Sequence, residues 1–420
     1  METANKTNPW RALANPNYFM YFGGQGVSLV GTWLQQTTMT WLVYRLTGSG
    51  MLLGLVGFSG QLPAFLLAPV AGALTDRWPR HKALVVTQVL ATLQALVLGW
   101  LSVTGRVAVW HLVALSAFLG AVNAFDITLR QSFVIELVDD PADLGNAIAL
   151  NSTLVNGARV IGPSVAGFLI PIVGESASFF LNAASYVAVI VALLAMKLKP
   201  RDIPVRDRNV GGAIADGFRY AFGFLPIRAL LLNLALISFA GMPYMVLLPV
   251  FAKEVLGGGA STLGILMAAA GVGSLGAGLH LAGRGTVLGL GRFVTAGSVL
   301  FGASLIAFSY SHTLALSMAM LAVSGYAMMA CAISSNTILQ TLVEDEMRGR
   351  VMSIYLMAFM GLQPLGSLVG GWVSDRIGAP AALQVGGLLC VAGGMFFGTR
   401  LESVREAARP IYQKKGILPV

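Results

Sequence analysis

Apolar runs of about 20 residues, with at most two charges in any of them, recur along this chain, and no other feature restricts its fold as strongly. Inside a bilayer every backbone N–H and C=O must be paired within the protein, so runs of this kind cross as helices. Twelve lie at approximately 18–44, 50–74, 83–103, 108–130, 146–171, 177–196, 228–251, 261–282, 292–310, 313–336, 350–372 and 379–399. Only 11% of the 420 residues are charged, against about a quarter in an ordinary soluble domain. A water-soluble chain of this length would need far more charged surface over its core. A soluble enzyme, a disordered chain and a disulfide scaffold are therefore excluded. The expected fold class is an all-α membrane protein with twelve transmembrane helices.

Charge placement orients the spans. A formal net charge of +9 would suggest nucleic acid in a soluble protein. Here the positive-inside rule accounts for it, and no nucleic-acid partner is expected. With both termini inside, 22 of the 27 Lys and Arg fall on the cytoplasmic side. Only Arg45, Arg106, Lys253 and Arg376 fall outside, and Arg159 is left within a span. An odd number of spans would scramble this asymmetry. The expected location is a cell membrane of the bacterial inner-membrane type, crossed many times, with cytoplasmic termini. The first 17 residues are polar and the apolar stretch after them is too long for a signal-peptide core, so no cleaved signal is expected.

The two halves of the chain repeat. Leu137-Val138-Asp139-Asp140 enters span five, and Leu342-Val343-Glu344-Asp345 enters span eleven. Gly145 and Gly349 follow in similar places, and Pro163 with Gly167 recurs as Pro364 with Gly370. A parallel repeat of six spans is a transporter architecture, with the substrate site at the midplane between halves. The expected organisation is a cytoplasmic segment 1–17, a six-helix half 18–196, a basic cytoplasmic linker 197–227, a second six-helix half 228–399 and a cytoplasmic tail 400–420. Within the linker, Ala213–Phe224 has the pattern of an interfacial amphipathic helix.

The loop after span two reads Gly72-Ala73-Leu74-Thr75-Asp76-Arg77-Trp78-Pro79-Arg80-His81-Lys82. It resembles the signature loop of the major facilitator superfamily, G-x-x-x-D-R-x-G-R-x-K, with Pro79 where a Gly is usual. In span five, Gly162-Pro163 followed by Ala166-Gly167 resembles the Gly-Pro motif of the superfamily's antiporter branch, with Ala149 and Ala158 in place of glycines. Longer stretches, among them LNSTLVNGARVIGPSVAG and RGRVMSIYLMAFMGLQPLGSLVGGWVSDRIG, are similar to the exporter subfamily that includes the enterobactin (catecholate siderophore) exporters. The resemblance runs from about residue 10 to 400. It implies two pseudo-symmetric six-helix halves and secondary active transport.

Several residues carry the chemistry. Asp76 sits at the end of span two, where it can accept from Arg77, Arg130 or the N–H groups opening a helix. With Gly72, Arg80 and Lys82 it is expected to form a gating latch on the cytoplasmic side. Asp126 and Arg130 are four apart on span four, hence on one helix face. Asp126 and Arg159 lie within spans, where charges are costly and mark function. Asp126 is a candidate proton-linked group, and Arg159 an anion-binding or relay group. Each also suits a packing pair, Asp126–Arg130 or Asp126–Arg159. Gln35, Gln36, Asn123, Tyr244 and Tyr326 are polar at midplane depth and are candidates for substrate contact, with Trp33 among the apolar walls.

Other signals are absent or discounted. Gly271-Val272-Gly273-Ser274-Leu275-Gly276 matches G-x-G-x-x-G, but it lies in an apolar span with no strand before it. Its small residues let helices approach closely. No G-x-x-x-x-G-K-[ST] is present, His81, His111, His280 and His312 have no metal spacing, and Cys331 and Cys390 sit in apolar runs as packing residues. No cofactor or metal is expected. The expected function is a monomeric secondary transporter that exports a small amphiphile, siderophore- or drug-like, as a proton antiporter in the lipid bilayer. A lipid or lysophospholipid flippase on the same fold, and a non-transporting membrane sensor or scaffold, are the alternatives.

Overall fold

A computed structural model of the chain describes residues 10–75, 78–138, 143–196 and 210–418. Among these the regular structure is helical. A short 3-10 turn, Arg11–Ala14, precedes α1, Pro16–Thr47. The sequence then forms α2 Gly50–Thr75, α3 Arg80–Val103, α4 Val109–Leu137 and α5 Leu144–Ala195. Next come α6 Val210–Gly223, α7 Leu225–Leu236, α8 Tyr244–Val250, α9 Ala260–Ala282, α10 Leu290–Ser309 and α11 Leu314–Leu342. The last are α12 Asp345–Leu356, α13 Gln363–Ile377, α14 Ala379–Thr399 and α15 Leu401–Lys414.

Ten segments of the described residues are long and apolar enough to cross a membrane. One of them, α5, holds two of the expected spans, because Gly174 takes φ 81° and ψ 173° and breaks the helix. Only a residue without Cβ adopts that conformation cheaply. The 32-residue α1 is long enough to cross but is diluted by Gln and Thr. Counting α7 with α8 and α12 with α13 as continuous crossings, as their combined stretches Leu225–Val255 and Asp345–Ile377 allow, twelve crossings result.

The ends and bends follow from local chemistry. Asn15 caps α1: its Oδ1 accepts the N–H groups of Asn17 and Tyr18 at 2.9 and 3.2 Å, and Pro16 occupies the first helical position. Span seven is wound as π-helix at Ile237–Gly241, just before Pro243, and again at Phe251–Val255 after Pro249. Span eleven carries a π turn at Met357–Gly361 just before Pro364. In both spans the helix is interrupted where the π turn meets the proline, at 242–243 and at Leu362, the ring at Pro243 or Pro364 having no N–H to donate. Buried hydroxyls bond back to carbonyls four residues earlier, as Thr37 does to Trp33 and Thr38 to Leu34, both at 2.8 Å. The expected helix over 213–224 is present as α6.

The chain packs as two units. The first comprises the described residues of Met1–Thr47, Ser59–Arg206 and Gly258–Ala268. The second comprises those of Gly48–Phe58, Asp207–Gly257 and Ala269–Val420. In the first, α5 packs along α1 and α3, and α3 along α4. Tyr18, Leu84, Phe133, Leu137 and Leu193 form a fully buried cluster there. Around that cluster Arg11 pairs with Asp143 at 2.8 Å, Arg80 with Glu136 at 2.6 Å, and His81 Nε2 lies 2.7 Å from the Leu193 carbonyl. In the second unit α10 packs between α11 and α14. Its aromatic core includes Phe251 against Phe308, with ring centroids 4.6 Å apart. The amphipathic α15 turns Val404 and Ala408 inward, and Lys415 Nζ donates to the Thr341 carbonyl at 2.7 Å.

Candidate functional site

Inside the first unit, α4 carries an ion pair between Asp126 and Arg130. The Asp126 carboxylate also accepts Thr87 Oγ1 at 2.8 Å and Gln88 Nε2 at 2.7 Å from α3. Thr87 Oγ1 also lies 2.8 Å from the Leu84 carbonyl, so its one hydrogen is shared between the two acceptors. Its side chain is 12% exposed and that of Arg130 13%. Of the two pairings open to Asp126, with Arg130 or with Arg159, the structure forms the first.

Arg159 lies on α5 and stacks on Trp33 of α1, with its guanidinium carbon 5.4 Å from the ring centroid. The approach depends on a glycine one turn further on. A Cβ at Gly162 would stand 2.3 Å from Trp33 Cβ and 2.9 Å from the Val30 carbonyl. The rest of this motif faces another helix. A Cβ on Gly264 of α9 would meet the Pro163 carbonyl oxygen at 2.4 Å, and Ser261 Oγ donates to the Gly167 carbonyl at 2.8 Å. Gly162-Pro163 with Gly167 therefore seats α1 on one side and the start of α9 on the other. The seat leaves a planar cation against an aromatic face, with N–H donors of the geometry that carboxylates accept.

The remaining candidates separate by burial. Gln35 is enclosed: it donates to Gln94 Oε1 at 3.0 Å and accepts from Asn182 Nδ2 at 2.9 Å, tying α1 to α3 and α5. Ser185 Oγ and Gln94 Nε2 extend this network to the carbonyls of Asn182 and Leu115. Gln35 is thus a packing residue of the first unit, whereas Gln36 beside it is exposed and Asn123 half-buried. In the second unit Tyr244 is buried edge-on against Phe301, with centroids 6.0 Å apart. Tyr326 is half-buried, and its hydroxyl meets His280 Nδ1 at 2.5 Å.

The loop motif is only partly in view. Asp76 and Arg77 lie outside the described residues. Gly72, in the last turn of α2, has open space where a Cβ would stand, and Lys82 is exposed. Arg80 and Arg130 are both engaged within the first unit, with Glu136 and Asp126 respectively.

The sequence family described as transmembrane secretion effector matches residues 7–413, nearly the whole chain. The chain belongs to the transmembrane secretion effector family. The Staphyloferrin A transporter of Staphylococcus aureus is 25% identical, over 90% of this chain and 94% of its own length. The multidrug efflux pump Tap of Mycolicibacterium fortuitum is 22% identical, over 92% and 95%. Among solved structures, a bacterial homologue of the human lysosomal transporter Spinster, inward-facing and unoccupied, superposes with a TM-score of 0.71 at 16% identity, covering 95% of this chain and 98% of that one. The fold is that of the major facilitator superfamily. This secretion effector is therefore a multi-pass membrane transporter of the efflux type, acting on a small molecule, and not an enzyme.

Two further residues of this transmembrane secretion effector stand out through their contacts. His280 has no metal-ligand spacing around it in the chain, yet it is the partner of Tyr326. Asp375, at the end of α13, caps the start of α2: it accepts Ser49 Oγ and the Gly50 N–H at 2.6 Å each, and the Met51 N–H at 3.1 Å. A Cβ on Gly371 would meet the Gly50 carbonyl oxygen at 2.3 Å, so the two helices touch there through glycine. The chain does hold a signal for this acid, since Gly371-x-x-x-Asp375-Arg376 has the spacing of Gly72-x-x-x-Asp76-Arg77.

Proposed function

We propose that this transporter exports a small amphiphilic molecule, siderophore- or drug-like, in exchange for protons. It works by alternating access as a monomer in a bacterial inner membrane, with both termini in the cytoplasm. The observation that carries this reading is Arg159 on Trp33. A cation kept partway along a membrane-spanning helix is costly, and here it lies against an aromatic face. That combination suits a substrate with an acidic or polar group on an apolar body. The relatives support the substrate class, one by its name as a Staphyloferrin A transporter and one as a multidrug efflux pump. The clustering of 22 of 27 cations on one side supports the orientation.

The other residues take supporting parts. Gln36 and Asn123 remain available for substrate contact, as Gln35 does not. The seat made by Gly162, Pro163 and Gly167 lets helices meet without side chains between them, which suits surfaces that shift during a transport cycle. Gly72, Asp76, Arg77 and Lys82 form the latch, with Arg80 anchored on Glu136. The test is expression in an efflux-deficient bacterial strain challenged with catecholate siderophores, macrolides and ethidium. Lower accumulation of at least one class than in the empty-vector control is expected, and dissipating the proton gradient should abolish the difference. Equal accumulation of every class would remove the reading.

A further inference from the structure

His280 and Tyr326 meet in a geometry that no local sequence pattern predicts. His280 is in the last turn of α9 and exposed, whereas Tyr326 is near the middle of α11. The Tyr326 hydroxyl is 2.5 Å from His280 Nδ1, and the two rings are stacked at 26° with centroids 6.0 Å apart. The glycine pattern of α9 makes this possible. A Cβ on Gly273 would stand 2.9 Å from the Tyr326 backbone nitrogen and 1.8 Å from the Ala322 carbonyl oxygen, so the two backbones touch there. Gly276, one turn on, has Tyr326 Cδ2 at 4.0 Å from the same construction, which leaves room for the ring to lie along α9 towards His280. Phe293 of α10 closes the cluster edge-on, its centroid 5.8 Å from that of the imidazole, and the same ring carries the Arg284 guanidinium at 4.8 Å.

We infer that His280 and Tyr326 are the proton-handling pair of the second unit, with His280 the group that takes up the proton and Tyr326 its positioning partner. The inference rests on the proton-antiport reading above. An imidazole is the side chain whose ordinary charge change falls between about pH 5 and 8. With Nδ1 unprotonated, it accepts from the Tyr326 O–H. Once a proton from water occupies Nδ1, the imidazolium donates to the Tyr326 oxygen and the phenol hydrogen turns elsewhere. One proton therefore reverses the polarity of a hydrogen bond that runs from the end of α9 to the middle of α11. The groups facing His280 are Tyr326 from α11 and the uncharged Phe293 from α10, with Arg284 from the turn after α9 on that same ring. Asp126 is a poorer candidate for the same task, because Arg130 and Gln88 already donate to it.

The pair is tested on the full chain in lipid nanodiscs, labelled with 15N-histidine and titrated from pH 5 to 8.5, with His280→Gln assigning the signal. The His280 resonance should titrate, and Tyr326→Phe should move its midpoint by about half a pH unit or more. A His280 signal that does not titrate, or whose midpoint ignores Tyr326→Phe, overturns the pair. In proteoliposomes, His280→Gln should lose ethidium accumulation driven by an imposed pH gradient while keeping ethidium exchange at zero gradient. Gradient-driven accumulation at the wild-type rate in His280→Gln overturns the coupling role. A wild-type protein indifferent to the gradient removes the antiport reading and the coupling role with it, and the titration then still decides whether the pair exists.

Discussion

The interiors of the two units handle polar groups in a bilayer by different means. The first holds an ion pair, Asp126–Arg130, an amide network through Gln35, Gln94 and Asn182, and a guanidinium on an indole at Arg159 and Trp33. Apart from the Asp375 cap on α2, the second is knit by small neutral groups. Asn233 Nδ2 donates to Ser298 Oγ at 2.9 Å, Ser238 Oγ to the Phe359 carbonyl at 2.6 Å, and Ser274 Oγ to the Gly325 carbonyl at 3.2 Å. Between these bonds the helices touch through glycine. The sixfold helical pattern thus repeats along the chain, but its chemistry does not. Directional, charged bonds fix α3 against α4 in the first unit. Between α9 and α11 the backbones themselves meet at Gly273 and Gly325, with Ser274 Oγ bonding across to the Gly325 carbonyl.

The largest effect should come from breaking the charged pair. Asp126→Asn leaves Arg130 buried without its counter-ion, and removing one member of such a pair costs about 3 kcal/mol. Thermal unfolding of the purified protein in detergent should show a lower midpoint. The double variant Asp126→Leu with Arg130→Met should recover most of it, since a buried pair replaced as a whole by apolar residues is close to neutral. A single variant as stable as the wild type would erase the contrast between units. In the second unit the corresponding probe is Gly325→Ala, whose new Cβ would sit 1.9 Å from the Ala270 carbonyl oxygen. Forcing α9 and α11 apart should cost about 2 kcal/mol. Gly157→Ala, on α5 with nothing within 4 Å, is the control and should be neutral or slightly stabilising.

How much of this is legible in the sequence depends on the range of the interaction. The spans are readable because each is set by a local run of apolar residues, and the i,i+4 spacing of Asp126 and Arg130 is enough to put them on one helix face. The break at Gly174 is legible as a boundary between spans five and six but not as a single residue, since many glycines in the chain have ordinary helical angles. Burial is the part that stays hidden. Gln35 and Gln36 are adjacent and identical, yet one is enclosed by Gln94 and Asn182 and the other is exposed. Only the packing of α1 on α3 and α5 decides between them. His280 and Tyr326 are separated by 46 positions with α10 between them, so no local pattern joins them. The glycines that permit their contact are visible, but only as a general sign of close helices.

At Arg159 a small effect on stability should accompany a large one on transport. The guanidinium lies 5.4 Å from the Trp33 centroid, and a cation–aromatic contact of this kind contributes about 1 kcal/mol. Arg159→Ala should insert and purify, with an unfolding midpoint above that of Asp126→Asn. Efflux of whichever class the expression screen identifies should be abolished. Arg159→Lys separates the two parts of the role: it keeps a cation near the indole but loses the planar, bidentate donor geometry. If the site binds a carboxylate or a similar planar acceptor, Arg159→Lys should raise the half-saturating substrate concentration roughly tenfold, the equivalent of about 1.4 kcal/mol. If charge alone matters, it should behave as the wild type. Efflux at the normal rate from a folded Arg159→Ala protein would make this cation a packing residue like Arg130, and the difference drawn between Arg130 and Arg159 would disappear.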